Sequence, residues 1–439
     1  MSSSDPFDGE TLSRLLGGSV DAFLRDVWQA APLKVAGGFG RRREEANRGS
    51  GKPDAAGFSI VNVEELFHEA FRRGDADSIL TFSGGKQVDA RNPFFAYSNR
   101  CSVVVNRADR FCRPIYTLCE AVAHQGRFPY VFCNVYLTPP KSQTVPAHSD
   151  DRDVLLVQIM GRKHWTVYGR PPVVLPYKDE EVGKKASPLS REALDAMGVA
   201  WDGFVEAGDV LYLPRGWVHE AKTQEDSASL HLTLAIQTSD WDPASLLRTE
   251  LQHALRAIPS SRHCLSREAM AQPKEGISPQ LSSSDLAAWR QTVSELAQHL
   301  DPHRGLRDFH ERLRRMRLER AELFTEEDKV RGVVAPPVTL HTLIAWNGCI
   351  KVAACDQVSN HPVAAVTALL RLERQLLGDP PSSLTMSASR EVVAVVRQLS
   401  SCPEAPRSVQ ELVGPFDDLS RLCLANLLLR NDTCVRIRD

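Results

Sequence analysis

No run of about 18 or more apolar residues occurs anywhere in this 439-residue chain, which excludes a membrane-spanning helix. Cys-x-x-Cys pairs are missing too. The ten cysteines lie scattered at 101, 112, 119, 133, 264, 349, 355, 402, 423 and 434, which argues against a zinc ribbon and fits reduced thiols in a cytosolic or nuclear compartment. An excess of one charge is absent: 53 Lys and Arg face 55 Asp and Glu, a formal net charge of −2, so no overall draw towards nucleic acid is expected. The opening MSSSDPFDGETLSRLLGG lacks a basic region followed by an apolar core and does not read as a secretory signal. What is present, 42% hydrophobic and 25% charged residues, is ordinary for a soluble globular protein of two to four domains.

Leu12, Leu15, Leu16, Phe23, Leu24 and Trp28 recur at helical spacing and predict a helix over 11–31. Residues 37–57 are rich in glycine and charge and read as a flexible linker, closing an N-terminal segment 1–57. Arg41-Arg42-Arg43 in that linker is a candidate nuclear-import patch, with a solvated charge run as the plainer reading. Across 58–239 the texture turns β-rich. ILTFSG, SVVVN, YVFCNVYLTPP, DVLLVQIM, KHWTVYG, DVLYLP and SLHLTLAIQ are short segments bounded by Gly, Pro or Asp, as in a barrel or sandwich. Residues 240–332 change to amphipathic helices. Leu286, Trp289, Val293, Leu296 and Leu300 form one stripe, with Ser284 or Asp285 as N-cap, and Leu306, Phe309, Leu313 and Met316 form another. Over 333–439 helix-like segments at 363–376, 387–400, 408–413 and 417–430 precede a short strand, CVRIR. Ser408 and Glu411 fit a capping box there. This suggests a winged-helix-like domain. Residues 381–439 carry seven Arg, no Lys and seven acidic residues, and the last helix opens on Asp417-Asp418, so DNA reading is not expected.

One stretch carries chemistry. In VPAHSDDRDVLLVQIMGRKHWTVYG, His148 and Asp150 stand one residue apart before a core strand, and period-2 alternation puts them on the same side. His-x-Asp alone is weak: His299-Leu300-Asp301 repeats it at a helix end and is assigned no function. His219 follows 71 residues after His148, beyond a strand and a Pro-Arg-Gly turn. Two histidines and a carboxylate would make a facial triad that holds Fe(II) and leaves positions open, whereas a structural zinc site would want four ligands. Lys163 is in phase with Trp165 and Val167, so it points inward if Trp165 does, and a buried lysine needs an anionic partner. A stem lying along the surface is the alternative. In SLHLTLAIQ, Leu230, Leu232, Leu234 and Ile236 form one face. Ser229, His231, Thr233 and Ala235 form the other, as on a barrel wall beside a wet pocket.

Taken together, NVYLTPPKSQTVPAHSDDRDVLLVQIMGRKHWTVYG, GDVLYLPRGWVHEAKT and SLHLTLA resemble the JmjC-type ribosomal oxygenases, also known as bifunctional lysine-specific demethylase and histidyl-hydroxylase proteins. The resemblance is dense over about 95–238. It implies an α+β fold: a double-stranded β-helix (a JmjC, cupin-like barrel), a helical dimerisation region and a C-terminal winged-helix domain. It implies His148, Asp150 and His219 as Fe(II) ligands and no catalytic residue beyond them. Lys163 would pair with the distal carboxylate of the cosubstrate 2-oxoglutarate, Asn134 would help to bind that cosubstrate, and Tyr136 would line the substrate pocket with Ala235. Ser149 stands where family members commonly carry Tyr, and Ala235 where they carry Ser near the substrate. The implied activity is hydroxylation of a histidine in a ribosomal protein. Histone lysine demethylation at the same iron site, as a chromatin regulator, and a catalytically inactive scaffold are the alternatives. A homodimer in the nucleus or nucleolus, with the cytoplasm as a second possibility, completes the expectation.

Overall fold

The computed structural model describes residues 9–39, 60–75, 77–90, 92–169, 171–184, 188–224, 227–270, 281–330, 338–374, 382–414 and 417–437. Arg41–Arg43 lies outside them. The chain divides into two units, Met1–Gln237 with Val330–Asp439, and Thr238–Lys329. The single helix expected over 11–31 is two, Thr11–Leu15 and Val20–Asp26. Gly17 takes φ +67°, a left-handed conformation that ends the first helix, and Ser19 caps the second by accepting the Ala22 N–H.

Among the described residues, Met1–Gln237 is built on ten antiparallel strands: β1 (Leu33–Val35), β2 (Ile79–Ser83), β3 (Lys86–Val88), β4 (Ser102–Val105), β5 (Val131–Thr138), β6 (Asp153–Tyr168), β7 (Val199–Glu206), β8 (Val210–Leu213), β9 (His219–Lys222) and β10 (Ser229–Ile236). Their order is β1-β8-β6-β10-β5-β4-β2-β3, and β7 and β9 also pair with β6. On β10 the alternation read from the sequence holds. Leu230, Leu232, Leu234 and Ile236 are buried in the core, each contributing about 1.5–3 kcal/mol. His231 and Thr233, on the other face, line a cavity.

β6 differs from expectation. Instead of two strands there is one of 16 residues. Gln158 pairs with His231 and Met160 with Leu230, which leaves Ile159 as an extra residue, and Gly161 follows at φ +65°. A Cβ on Gly161 would collide with the Ala228 carbonyl oxygen, so the bend requires glycine. The first half of β6 pairs with β8 and β10, the second with β7 and β9. The bulge also reverses the side-chain phase. Even-numbered Val154 and Leu156 before it, and odd-numbered Lys163 and Trp165 after it, line the same cavity.

Val330–Asp439 adds β11 (Leu343–Trp346), β12 (Ile350–Gln357), β13 (Ala368–Arg374), β14 (Ser382–Ala388), β15 (Arg407–Ser408) and β16 (Cys434–Arg436), in two three-stranded sheets. The helix expected over 363–376 is instead the strand β13. Leu370 and Leu372 are buried while Arg371 between them is exposed, a period of two rather than 3.6. Helices Arg390–Ser401 and Asp418–Arg430 form as expected, but the Ser408–Glu411 capping box closes only the single turn Val409–Glu411. The segment is tied to the barrel portion: Arg100 pairs with Glu391 at 3.1 Å, and the Ser389 N–H donates to Asn99 Oδ1 at 2.7 Å.

The second unit is helical, with helices Pro243–Ala257, Arg267–Met270, Ser283–His299 and Pro302–Val330. The N-cap of the third is Ser282, not Ser284 or Asp285. Asp285 occupies N3 and completes a reciprocal capping box, which satisfies two orphan N–H groups rather than one. Among the described residues, no helix is long and apolar enough to cross a membrane.

Candidate metal centre

The segment carrying His148 meets β9 through one antiparallel bridge. The His148 N–H donates to the His219 carbonyl at 3.0 Å, and the His219 N–H returns to the His148 carbonyl at 2.9 Å. A pair opposed in this way projects its side chains together on one face, and the two imidazole centroids are 4.6 Å apart. Alternation then brings Asp150 to the same face and turns Ser149 away. Ser149 Oγ accepts the Val182 N–H at 3.1 Å, so the serine clasps a neighbouring loop and leaves the metal side to its neighbours. His148 Nε2 lies 3.9 Å from Asp150 Oδ1, and His219 Nε2 lies 3.7 Å from Asp150 Oδ2. One donor atom from each residue falls within 4.8 Å of the others. Ligands each about 2.0–2.2 Å from one ion stand at most about 4.4 Å apart, a limit that the 3.9 and 3.7 Å separations from Asp150 meet.

Both imidazoles are held ready. Nδ1 of His148 lies 2.8 Å from the Pro146 carbonyl, and Nδ1 of His219 lies 3.0 Å from the Trp217 carbonyl. A carbonyl only accepts, so each Nδ1 carries the proton and each Nε2 keeps its lone pair for a metal. Burial, with His219 adding to it, pushes the His148 imidazole down to about 4, and burial lowers His219 as well. Both are therefore neutral near pH 7 and need shed no proton to bind a metal. Burial alone would raise the Asp150 carboxyl, but the ammonium of Lys184, 2.6 Å from Oδ1, holds it far below the usual carboxylate range.

Lys184 is a residue that sequence reasoning missed. It also pairs with Glu181 at 2.7 Å, and Glu181 accepts the Asp151 N–H at 3.0 Å. Between them Gly183, at φ +74°, presses against the Ala147 carbonyl so closely that a Cβ would collide. In sequence, EEVGKK looks like a solvated charge run. The one available signal was that a buried carboxylate requires a nearby cation.

Lys163 points inward as its phase predicts. It is 2% exposed, donates to Thr138 Oγ1 at 3.0 Å, and pairs with no carboxylate among the described residues. Burial pushes its ammonium down to about 7. A cavity of about 50 Å³ joins it to the metal side, with His148, Asp150, Lys163, Trp165, His219 and His231 in its wall. Tyr136 is there too, its ring stacked on His231 at 4.9 Å and 5°. Asn134 and Ala235 do not line the cavity. Asn134 shares the strand face of Tyr136, but its Oδ1 accepts the Arg107 backbone N–H at 3.0 Å. Ala235 opposes Phe132 and Val154 at the far end of β10, 1% exposed and too short to reach the cavity. Two imidazoles and one carboxylate on one side of a cavity suit Fe(II) with open positions, and an unpaired buried lysine across it suits a carboxylate ligand.

Residues 109–243, which hold all of these candidates, match the family model described as the JmjC domain. The resemblance drawn from the residues is borne out. The chain is 32% identical over 171 residues to the bifunctional lysine-specific demethylase and histidyl-hydroxylase of Caenorhabditis elegans, covering 38% of this chain and 22% of that protein. It is 28% identical over 230 residues to ribosomal oxygenase 1 of Danio rerio, covering 50% and 39%. The chain thus spans about a fifth to two fifths of the length of these relatives. Among solved structures, the Escherichia coli ribosomal oxygenase YcfD in complex with cobalt and 2-oxoglutarate aligns with a TM-score of 0.43 and 14% identity, covering 96% of this chain and 99% of that one.

Proposed function

We propose that this chain, which carries a JmjC domain over residues 109–243, is an Fe(II)- and 2-oxoglutarate-dependent oxygenase that hydroxylates a histidine of a ribosomal protein. One observation carries the reading. His148, Asp150 and His219 converge with both Nε2 lone pairs free, in the same cavity as a buried lysine that has no carboxylate partner among the described residues. His148, Asp150 and His219 would hold the metal, and Lys163 with Thr138 would hold the far carboxylate of 2-oxoglutarate. Bound there, the pair supplies oxidative decarboxylation coupled to transfer of one oxygen atom from O2 to a substrate C–H bond. The chain's own share is positional. The Pro146 and Trp217 carbonyls fix the imidazole tautomers, Lys184 fixes the Asp150 carboxylate, and the apolar wall of Val154 and Leu156 keeps bulk water out.

Histidine is favoured over methylated lysine by the make-up of the cavity wall. Aromatic residues that could cage a methylated ammonium are few in the cavity wall, Tyr136 and Trp165. A histidine β-carbon, close to its backbone, needs only a peptide at the mouth beside Tyr136. The relatives' names carry both histidyl-hydroxylase and lysine-specific demethylase activity, so the choice between them rests on the cavity. The test offers purified, iron-loaded protein a ribosomal histidine peptide and a trimethyl-lysine histone peptide side by side. One added oxygen on the histidine peptide is expected; formaldehyde from the histone peptide with no such product would replace this reading by demethylation.

Assembly as a homodimer through 240–330, and residence in the nucleus or nucleolus, belong to the same proposal. The dimer is supported by apolar side chains left in solvent on the helices of the second unit, among them Leu247, Trp289, Val293, Leu306 and Leu318.

A further inference from the structure

We propose that the indole N–H of Trp165 and the imidazole of His231 complete, with the Lys163 ammonium, a three-donor seat for the distal carboxylate of the cosubstrate. The inference rests on the cosubstrate reading above and assigns two positioning residues that it does not require.

Trp165 Nε1 and His231 Nδ1 are both buried and find no hydrogen-bond partner among the described residues. Their side chains are 5% and 2% exposed, and both line the cavity that holds Lys163. Buried polar groups are nearly always satisfied, so two orphans in one small cavity call for a ligand. The three groups are clustered. The Trp165 and His231 rings meet edge to face at 5.5 Å, and Lys163 Nζ is 5.8 Å from the centroid of the Trp165 ring. An indole nitrogen can only donate, and so can an ammonium. Neutral imidazole donates from Nδ1 in one of its two tautomers, and burial, with the adjacent Lys163 next, drives His231 towards the neutral form. Its ring cannot turn freely because Tyr136 stacks flat against it. Three donors, one of them charged, match a carboxylate, whose two oxygens offer about four lone pairs. The Thr138 hydroxyl, already bonded to Lys163, faces Thr144 at 3.1 Å and adds no strong acceptor.

The length of the ligand is then read by the chain. A 2-oxo acid that reaches the metal side but lacks the second carboxylate leaves the indole and imidazole donors unsatisfied and the ammonium with Thr138 alone. The experiment titrates the full-length, cobalt-loaded protein with 2-oxoglutarate and with 2-oxobutyrate, which has the same head group and no distal carboxylate, by calorimetry. Trp165→Phe keeps an aromatic ring in the wall without the indole N–H, and His231→Phe keeps an aromatic ring able to stack on Tyr136. Each variant is expected to bind 2-oxoglutarate about tenfold more weakly while 2-oxobutyrate affinity stays the same. Equal weakening of both ligands, or no change in either, overturns the proposal and leaves the cosubstrate reading standing, provided that wild type prefers 2-oxoglutarate. A wild-type protein with no such preference removes that reading and the proposal with it. A measurement on wild type does not depend on how the variants fold. In zinc-loaded, ¹⁵N-labelled protein, one of the seven tryptophan indole resonances should move downfield with 2-oxoglutarate and stay with 2-oxobutyrate; seven unmoved resonances likewise overturn the proposal.

Discussion

Replacing Lys163 by methionine should make the ligand-free protein more stable, and by an amount that depends on pH. The ammonium is 2% exposed and its pKa is pushed by burial from 10.5 to about 7. At about 1.4 kcal/mol per unit, the folded state carries a penalty of roughly 5 kcal/mol when the lysine must be charged in both states. Methionine fills a similar volume without a charge. It forfeits the bond to Thr138, about 1 kcal/mol, while Thr138 keeps Thr144 as a partner. A net gain of about 4 kcal/mol at pH 6 follows from these terms. The sign fixes the window. A base whose folded pKa is depressed binds fewer protons in the folded state, so wild type is penalised in full below about pH 7. The penalty shrinks as pH rises from about 7 to 10.5 and is gone above that. Urea unfolding of both proteins at pH 6, 8 and 10 should therefore show a gap that closes with rising pH, and titrating groups other than His231, which senses the Lys163 charge, cancel in the difference. The same variant should bind 2-oxoglutarate ten- to a hundredfold more weakly. A variant less stable than wild type at pH 6, or a gap that does not change between pH 6 and pH 10, would refute the picture of Lys163 as a buried cation waiting for an anion.

Three further outcomes are expected. His148→Ala, Asp150→Ala and His219→Ala should each abolish 2-oxoglutarate turnover and weaken cobalt binding by at least ten- to a hundredfold, read by succinate release and calorimetry; wild-type-like turnover in any of them removes that residue from the metal site. Gly183→Ala should lower stability by about 1–2 kcal/mol, because a side chain at φ +74° meets the Ala147 carbonyl, and should loosen metal binding by displacing Lys184 from Asp150. Thermal melts and metal titration check both effects. Light scattering at micromolar concentration should report a dimer for wild type and a monomer for Trp289→Glu, since Trp289 is 57% exposed on an apolar stripe of the second unit; a folded wild-type monomer would end the claim.

The sequence by itself determined what depends on local period and chemical type. The two faces of β10 follow from strict alternation, which survives any tertiary arrangement that keeps the strand. The pairing of His148 with Asp150 on one side, and of Lys163 with Trp165, follows from the same period of two. The JmjC resemblance was legible because its residues lie close together in fixed spacings. Tertiary structure decided what depends on long-range closure. Whether Lys163 and Leu156 face the same cavity hinges on one extra residue at Ile159 and a left-handed Gly161, and a bulge leaves no periodic trace before its partner strand is known. β13 was mistaken for a helix because ALLRLER suits either period until neighbouring strands pair with it on both sides. Lys184 lies far along the chain from Asp150, and only the fold of the intervening loop, pinned by Gly183 and Ser149, brings that ammonium to the metal-binding carboxylate. Local periodicity is set by neighbours within a few residues. A buried charge finds its partner only when the whole chain has closed around it.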